Sequence, residues 1–355
     1  MEEKDQQQAP HKRRVRYSGT HPKRFHEKYK ELNPEKYADD VAHVISRGAT
    51  PAGMHISIMV QEILDFLQIE PGMIGVDATL GYGGHTRAML EKLQGQGHIY
   101  GLDVDPIEST KTKERLAAAG FGEDILTVRL QNFADIDRVV ADTGHKLNFI
   151  LADLGVSSMQ IDNPERGFSY KAEGPLDLRL NPLAGIPASE RLKQMNREEI
   201  EGMLIENADE PYADRIAATM MQWRRKRLPL ETTTHLRECV TEALSFLPKA
   251  EQKDAIKKSC QRTAQAIRID VNSEFEVLDA FLSKLPDVLA PGGRVAVLTF
   301  HSGEDRMVKK YFKAQLREGL YSEIADDPIR PTAEECVRNS RAKSTKMRWA
   351  IRSET

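Results

Sequence analysis

From His55 onward, short apolar runs alternate with amphipathic stretches. The runs at 73–77, 99–103, 125–129 and 147–153 are short and aliphatic, as buried strands are. Between them, 56–67 and 86–93 space their apolar residues three and four apart, and 134–142 reads as a more polar helix. This strand-helix-strand rhythm predicts an open, largely parallel sheet with helices on its faces. The rhythm stops after Asp153. For roughly a hundred residues the chain then carries helical spacing without a strong strand: Ala213, Ile216, Met220 and Trp223 mark one helix, and Leu236, Val240, Ala243 and Leu247 a second, closed by Pro248. Afterwards the stripe Phe275, Leu278, Leu282 and Leu285, a turn at Pro291-Gly292-Gly293, a β-prone run at 294–300 and a last strand at 346–351 resume the first pattern. The expectation is a Rossmann-like α/β fold with an inserted helical domain. A flexible arm covers 1–50, the main domain 51–160 and 270–355, and the insert 161–269.

Composition narrows the class. With 355 residues, 40% hydrophobic and 30% charged, there is material for a real core under a well-solvated surface. No apolar run is long enough to span a bilayer and the first residues lack a signal core, so a cytoplasmic location is expected. Cys239, Cys260 and Cys336 form no paired motif, which argues against a zinc site or a disulfide framework. The formal net charge of −3 hides an uneven distribution. Lys12, Arg13, Arg14, Arg16, Lys23, Arg24, Lys28 and Lys30 crowd the arm, interleaved with Tyr17, Phe25 and Tyr29, a composition that suits a phosphate backbone with stacked bases. It equally suits a solvated tail. Arg224-Arg225-Lys226-Arg227 follows Trp223 at a helix end and supplies more cations than capping requires.

The candidate chemistry sits where strands should end. Asp77 closes the first strand and Gly81, Gly83 and Gly84 follow, a turn that lets a ligand approach the backbone. Thr86 stands where a dinucleotide fingerprint wants Gly or Ala, which weakens an NAD reading. Asp103, at the end of the second strand, can accept ribose hydroxyls of NAD or S-adenosylmethionine alike. Asp105 before Pro106 reads as a helix cap. Phe133 follows the third strand, where an adenine ring would lie or a core would need filling. Asp153-Leu154-Gly155-Val156-Ser157-Ser158 ends the fourth strand, where a carboxylate can accept the hydrogens of a weakly nucleophilic amine. Phe168 and Tyr170 are candidates for stacking a flipped base or for packing the insert. Arg262–Ala266 and Phe300–Arg306, the latter with His301, are further polar constellations.

In order, Gly83-Gly84-His85, Asp153–Ser158, Glu165–Ser169, Gly174–Leu180, Arg262–Ala266, Val271–Glu274, Ala290–Arg294 and Phe300–Arg306 resemble the motifs of the RsmH (MraW) family of 16S ribosomal RNA cytosine-N4 methyltransferases. The resemblance runs from about His55 to the C-terminus. It implies that Gly83, Gly84, His85, Asp103, Phe133, Asp153 and Gln160 contact S-adenosylmethionine. It also implies that the substrate is 16S rRNA in the small ribosomal subunit, read through the insert, and it gives Asp153 two candidate roles, donor contact and catalysis. Gly303 stands where the family usually has Leu, and Ser259-Cys260-Gln261 where it has His-Pro-Ala. Two alternatives remain open at this point: a non-catalytic S-adenosylmethionine-binding assembly factor, and an amino-methyltransferase with another nucleic-acid target.

Overall fold

The computed structural model describes residues 57–355; the basic arm at 1–50 lies outside the described residues. In chain order the main elements are α1 (Val60–Leu67), β1 (Ile74–Asp77), α2 (Gly84–Leu93), β2 (His98–Asp103), α3 (Pro106–Ala118), β3 (Leu126–Leu130), α4 (Asp137–Thr143), β4 (Leu147–Asp153) and α5 (Ser158–Asp162). The excursion away from the sheet holds α6 (Ala188–Gln194), α7 (Arg197–Ala208), α8 (Ala213–Arg225), α9 (Thr233–Ala243) and α10 (Lys249–Val271). The chain returns through α11 (Glu274–Val288), β5 (Leu289–Thr299), α12 (Ser302–Arg317), β6 (Tyr321–Ile324), α13 (Ala333–Arg338) and β7 (Lys346–Arg352).

The sheet order is β3-β2-β1-β4-β5-β7-β6. The first five strands in that order are parallel, and β7 runs antiparallel to both β5 and β6. The alternation inside β4 shows why two layers of helices are needed. Ile150 and Ala152 join the core on one face with Val295, Val297, Leu282 and Leu285. Phe149 and Leu151 point to the other face, with Leu298, Ala296, Leu90 and Ile63. The helical excursion builds its own core from Leu176, Leu192, Leu204, Ile216, Trp223, Leu236, Val240 and Ile267. Its helices start at recognisable caps, such as the reciprocal Asn196 and Glu199 box and the Thr232 hydroxyl on the His235 amide.

Two sequence expectations need correction. Pro291-Gly292-Gly293 does turn the chain, with Gly292 at φ 70°, but within β5 and not before it: Leu147 pairs with Leu289 and Phe149 with Arg294, so the residues between loop out of the ladder. Gly293 sits there because a Cβ would lie 2.7 Å from the Ala290 carbonyl oxygen. The sequence pattern also contained no signal for β6, a four-residue edge strand in which only Tyr321 and Ile324 are buried.

Candidate active site

Parallel strands expose their carboxyl ends on one edge, and β2, β1, β4 and β5 are consecutive neighbours there. Asp103, Asp77 and Asp153 therefore end three adjacent strands. The turn after β1 is stitched to β2: Leu80 N–H donates to the Leu102 carbonyl and Gly81 N–H to Asp103 Oδ2, both at 2.8 Å. Gly83 adopts φ 83°, and a Cβ on it would come within 2.7 Å of Thr112 Cγ2, so the turn requires glycine on two counts. Arg115 closes the outside, donating to the Tyr82 carbonyl at 2.9 Å with its guanidinium 3.8 Å from the Tyr82 ring centre.

The three aspartates differ in their surroundings. Asp77 is buried and receives the Thr86 hydroxyl at 2.6 Å; burial still pushes its carboxyl above the usual range. Asp103 accepts the Gly81 amide on one oxygen and the Asp105 amide on the other, and burial pushes it up to about 6 despite both. Asp153 is also pushed up to about 6, first by burial and then by the charges of Asp77 and Glu304, against the opposing pull of His85. Its amide donates to Thr79 Oγ1 at 2.7 Å, its Oδ2 lies 3.6 Å from His85 Nδ1, and its Oδ1 is buried with no hydrogen-bond partner among the described residues. His85 Nε2 lies 2.8 Å from the Ile58 carbonyl and so carries the proton it donates there. The contact between Nδ1 and Asp153 is then attractive only with a proton between them.

Gln160 and Asp105 form a separate, saturated knot below this edge. Asp105 caps α3 as the sequence suggested, its Oδ1 accepting from Ile107 and Glu108. Its Oδ2 accepts from Gln160 Nε2 at 3.1 Å and from the buried Arg166 guanidinium at 2.7 Å. Gln160 also completes a capping box with Ser157. Arg166 reaches on to the Leu180 carbonyl, and Asn272 holds the same loop, accepting from Leu180 N–H and donating to the Leu178 carbonyl, each at 2.8 Å. Leu178, buried, is held at φ 62° between them.

Among the other candidates, Phe133 packs edge-on against Phe281 with ring centres 5.1 Å apart, half-buried just beyond β3. Phe168 and Tyr170 are half-buried against the helical core, which favours packing for both. Arg262 lies on α10, on which Arg268 is forked onto Glu274. His301 follows β5 and sits 3.1 Å from Glu304. Arg224 donates to the Leu192 carbonyl, whereas Arg225, Lys226 and Arg227 are exposed. A cavity of about 720 Å³ opens elsewhere, and none of the strand-end aspartates lines it. Its walls include Glu198, Glu199, Glu206 and Glu276, a lining that repels phosphate. Thr79, Arg166 and Asn272 were not singled out from the sequence. Arg166 and Asn272 lie inside the quoted motifs Glu165–Ser169 and Val271–Glu274, but their roles show only in contacts far along the chain.

A glycine turn, an acid at the next strand end and a carboxylate with an unpartnered oxygen at the fourth suit an S-adenosylmethionine-dependent methyltransferase, the class that the family match below establishes. A family model described as the MraW methylase family matches residues 52–353, and the chain belongs to that family. It is 65% identical over 348 residues to the "Ribosomal RNA small subunit methyltransferase H 1" of Agathobacter rectalis, covering 98% of this chain and 99% of that protein. It is 63% identical to the protein of the same name from Lachnoclostridium phytofermentans, over 98% of this chain and 95% of that one. It is 59% identical to "Ribosomal RNA small subunit methyltransferase H 2" of Alkaliphilus metalliredigens, over 98% and 100%.

Proposed function

We propose that the protein methylates the N4 amino group of a cytosine in small-subunit (16S) ribosomal RNA, acting in the cytoplasm. The observation that carries this reading is Asp153 Oδ1: a buried acceptor without a partner, at the end of β4, beside the glycine turn and Asp103. A buried polar atom left unmade costs roughly 1–3 kcal/mol, so its retention points to a ligand that supplies the missing hydrogen. The names of the relatives supply the RNA.

The residues present fit the donor. Each Asp103 oxygen has a lone pair beyond the one given to its backbone amide, enough for two ribose hydroxyls. Gly83 and Gly84 leave the backbone approachable, and Phe133 offers a ring face at the end of β3. Gln160, whose amide is committed to Asp105 and Ser157, braces the Asp103 turn from beneath. His85 Nδ1 faces Asp153 on the Oδ2 side at 3.6 Å, which leaves Oδ1 for the acceptor. When bound, S-adenosylmethionine supplies a methyl group activated by the sulfonium. Asp153 accepts one hydrogen of the cytosine amine, localising a lone pair otherwise delocalised into the ring and orienting it for attack. The helical insert at 161–269, with exposed Arg225, Lys226 and Arg227, reads the RNA.

Purified protein given labelled donor and small subunits from a strain lacking the gene should yield N4-methylcytidine after RNA digestion. Label in any other nucleoside, or none at all, refutes the reading.

A further inference from the structure

At the carboxyl end of β5 the chain leaves the sheet through Thr299, Phe300 and His301 and turns into α12. This exit lies beside that of β4: Asp153 is in register with Leu298, and Leu154 N–H donates to the Leu298 carbonyl at 3.1 Å. His301 is almost enclosed, its side chain 11% exposed, with Nε2 3.1 Å from Glu304 Oε1. The other oxygen of Glu304 accepts the Phe300 amide at 2.8 Å, and the carboxylate sits in the first turn of α12, where the helix dipole favours an anion. Burial alone would raise this carboxyl; the His301 contact, the Phe300 amide and the Arg268 charge outweigh it and hold it below the usual range. Both ring nitrogens are buried and neither has a well-formed hydrogen bond among the described residues; an ionised Glu304 at 3.1 Å favours the proton on Nε2, which puts the lone pair on Nδ1.

Among the described residues, Glu274, His301 and Glu304 bring ligand atoms within 4.8 Å of one another, which raises the question of a metal ion. Arg268 answers it. Its Nε and Nη2 take both oxygens of Glu274 at 2.8 and 3.0 Å, so the guanidinium already supplies the positive charge that a cation would bring. What remains is an imidazole backed by a carboxylate, one strand away from Asp153.

We infer that His301, backed by Glu304, accepts the proton released when the target amine is methylated, while Asp153 holds the amine in place. The inference rests on the methyl-transfer reading above. An exocyclic amine has two hydrogens, and two groups divide them: Asp153 Oδ1 binds one throughout and His301 Nδ1 takes the other. The nitrogen lone pair forms a bond to the methyl carbon as the carbon–sulfur bond breaks and its electron pair stays on sulfur. The nitrogen, now positive, passes one proton to Nδ1; the imidazolium is neutralised by Glu304 and returns its proton to solvent at the end of the cycle. Asp77, Asp153, Glu274, Glu304 and Arg268 are the charges that surround this transfer.

Single-turnover methylation of small subunits, at saturating donor, should be compared for wild type, His301→Gln, His301→Asn and Glu304→Gln between about pH 5.5 and 9, alongside donor binding by calorimetry and thermal melts. The three variants should react about 10²-fold more slowly. Donor affinity should stay within about threefold, and the acidic limb of the pH profile should change. Nitrogen NMR of donor-free protein should show His301 protonated on Nε2 alone, a preference lost in Glu304→Gln. A folded His301→Gln variant within threefold of wild type, an imidazole protonated on Nδ1, or activity that requires added divalent metal would each overturn the inference. An inactive wild type would instead overturn the functional reading on which it depends.

Discussion

Buried polar groups are treated differently in the helical insert and at the carboxyl edge of the sheet. In the insert they are matched: Trp223 Nε1 donates to Glu242, Arg191 holds Asp270, and Asn207 and Gln265 exchange bonds with each other's neighbouring backbone. Glu210 and Thr263 are the exceptions among the described residues: one Glu210 oxygen is taken by Ser259 and Tyr212 and the other by nothing, and the buried Thr263 hydroxyl has no partner. At the sheet edge, Asp77, Asp103 and Asp153 lie on adjacent strands and all have carboxyls raised by burial. The insert is organised for stability. The edge carries charge that the fold would prefer to do without, and such sites are where activity trades against stability.

The largest expected effect tests the boundary between the two. Arg166→Leu strands the fully buried Asp105 carboxylate and should cost about 3–5 kcal/mol in denaturant unfolding. Adding Asp105→Asn should restore much of that; no recovery would mean that the knot is not electrostatic. Next, Asp153→Asn should lower kcat by about 10²–10³-fold. It should leave the melting temperature at pH 7 unchanged or higher, because it removes a charge the fold disfavours. A clear drop in melting temperature would move Asp153 to the structural side of the contrast.

The pH dependence follows with its sign. Carboxyls raised from 3.8 to about 6 bind more protons in the folded than in the unfolded state across that interval. The stability they contribute is full below about pH 4 and is lost as pH rises through about 6. Activity that needs both carboxylates ionised rises over the same interval, approaching about a hundredfold per unit well below about 6 because two groups must lose their protons. Matched stability and rate measurements from pH 5 to 7 should therefore slope in opposite directions, and parallel slopes would contradict the assignment. The smallest effect concerns the exposed cluster. Arg225→Ala and Arg227→Ala should each reduce the salt dependence of RNA affinity by about 0.7–0.9 in slope without changing kcat at saturation; an unchanged slope would remove the cluster from the RNA-binding surface.

Much of this was legible in the chain. The strands ending in Asp77, Asp103 and Asp153 stood out because parallel strands buried on both faces are continuous aliphatic runs, and Asp105 before Pro106 announced a cap. The β6 strand left no periodic trace because four residues with two buried ends are too few. The turn at Pro291-Gly292-Gly293 was legible, but only pairing with β4 shows that β5 begins before it. Arg166, set among charged and polar neighbours, gave no hint of burial. His301 was visible as a lone histidine after a strand, but its meaning depends on Glu304, Arg268 and Glu274, which the fold gathers from three helices.

The helical excursion separates β4 from β5 in sequence, although the two strands are direct neighbours in the sheet. Their pairing brings Asp153 and His301 side by side only after that long detour has closed, and closure is entropically cheap only if the detour has already collapsed on its own core. The expected order of assembly has the insert collapse first and so gate the maturation of a reaction centre to which it contributes neither residue. A lesion deep in the insert, such as Ile267→Ala, should thus show itself as slow or incomplete refolding, with every molecule that does mature turning over at the normal rate.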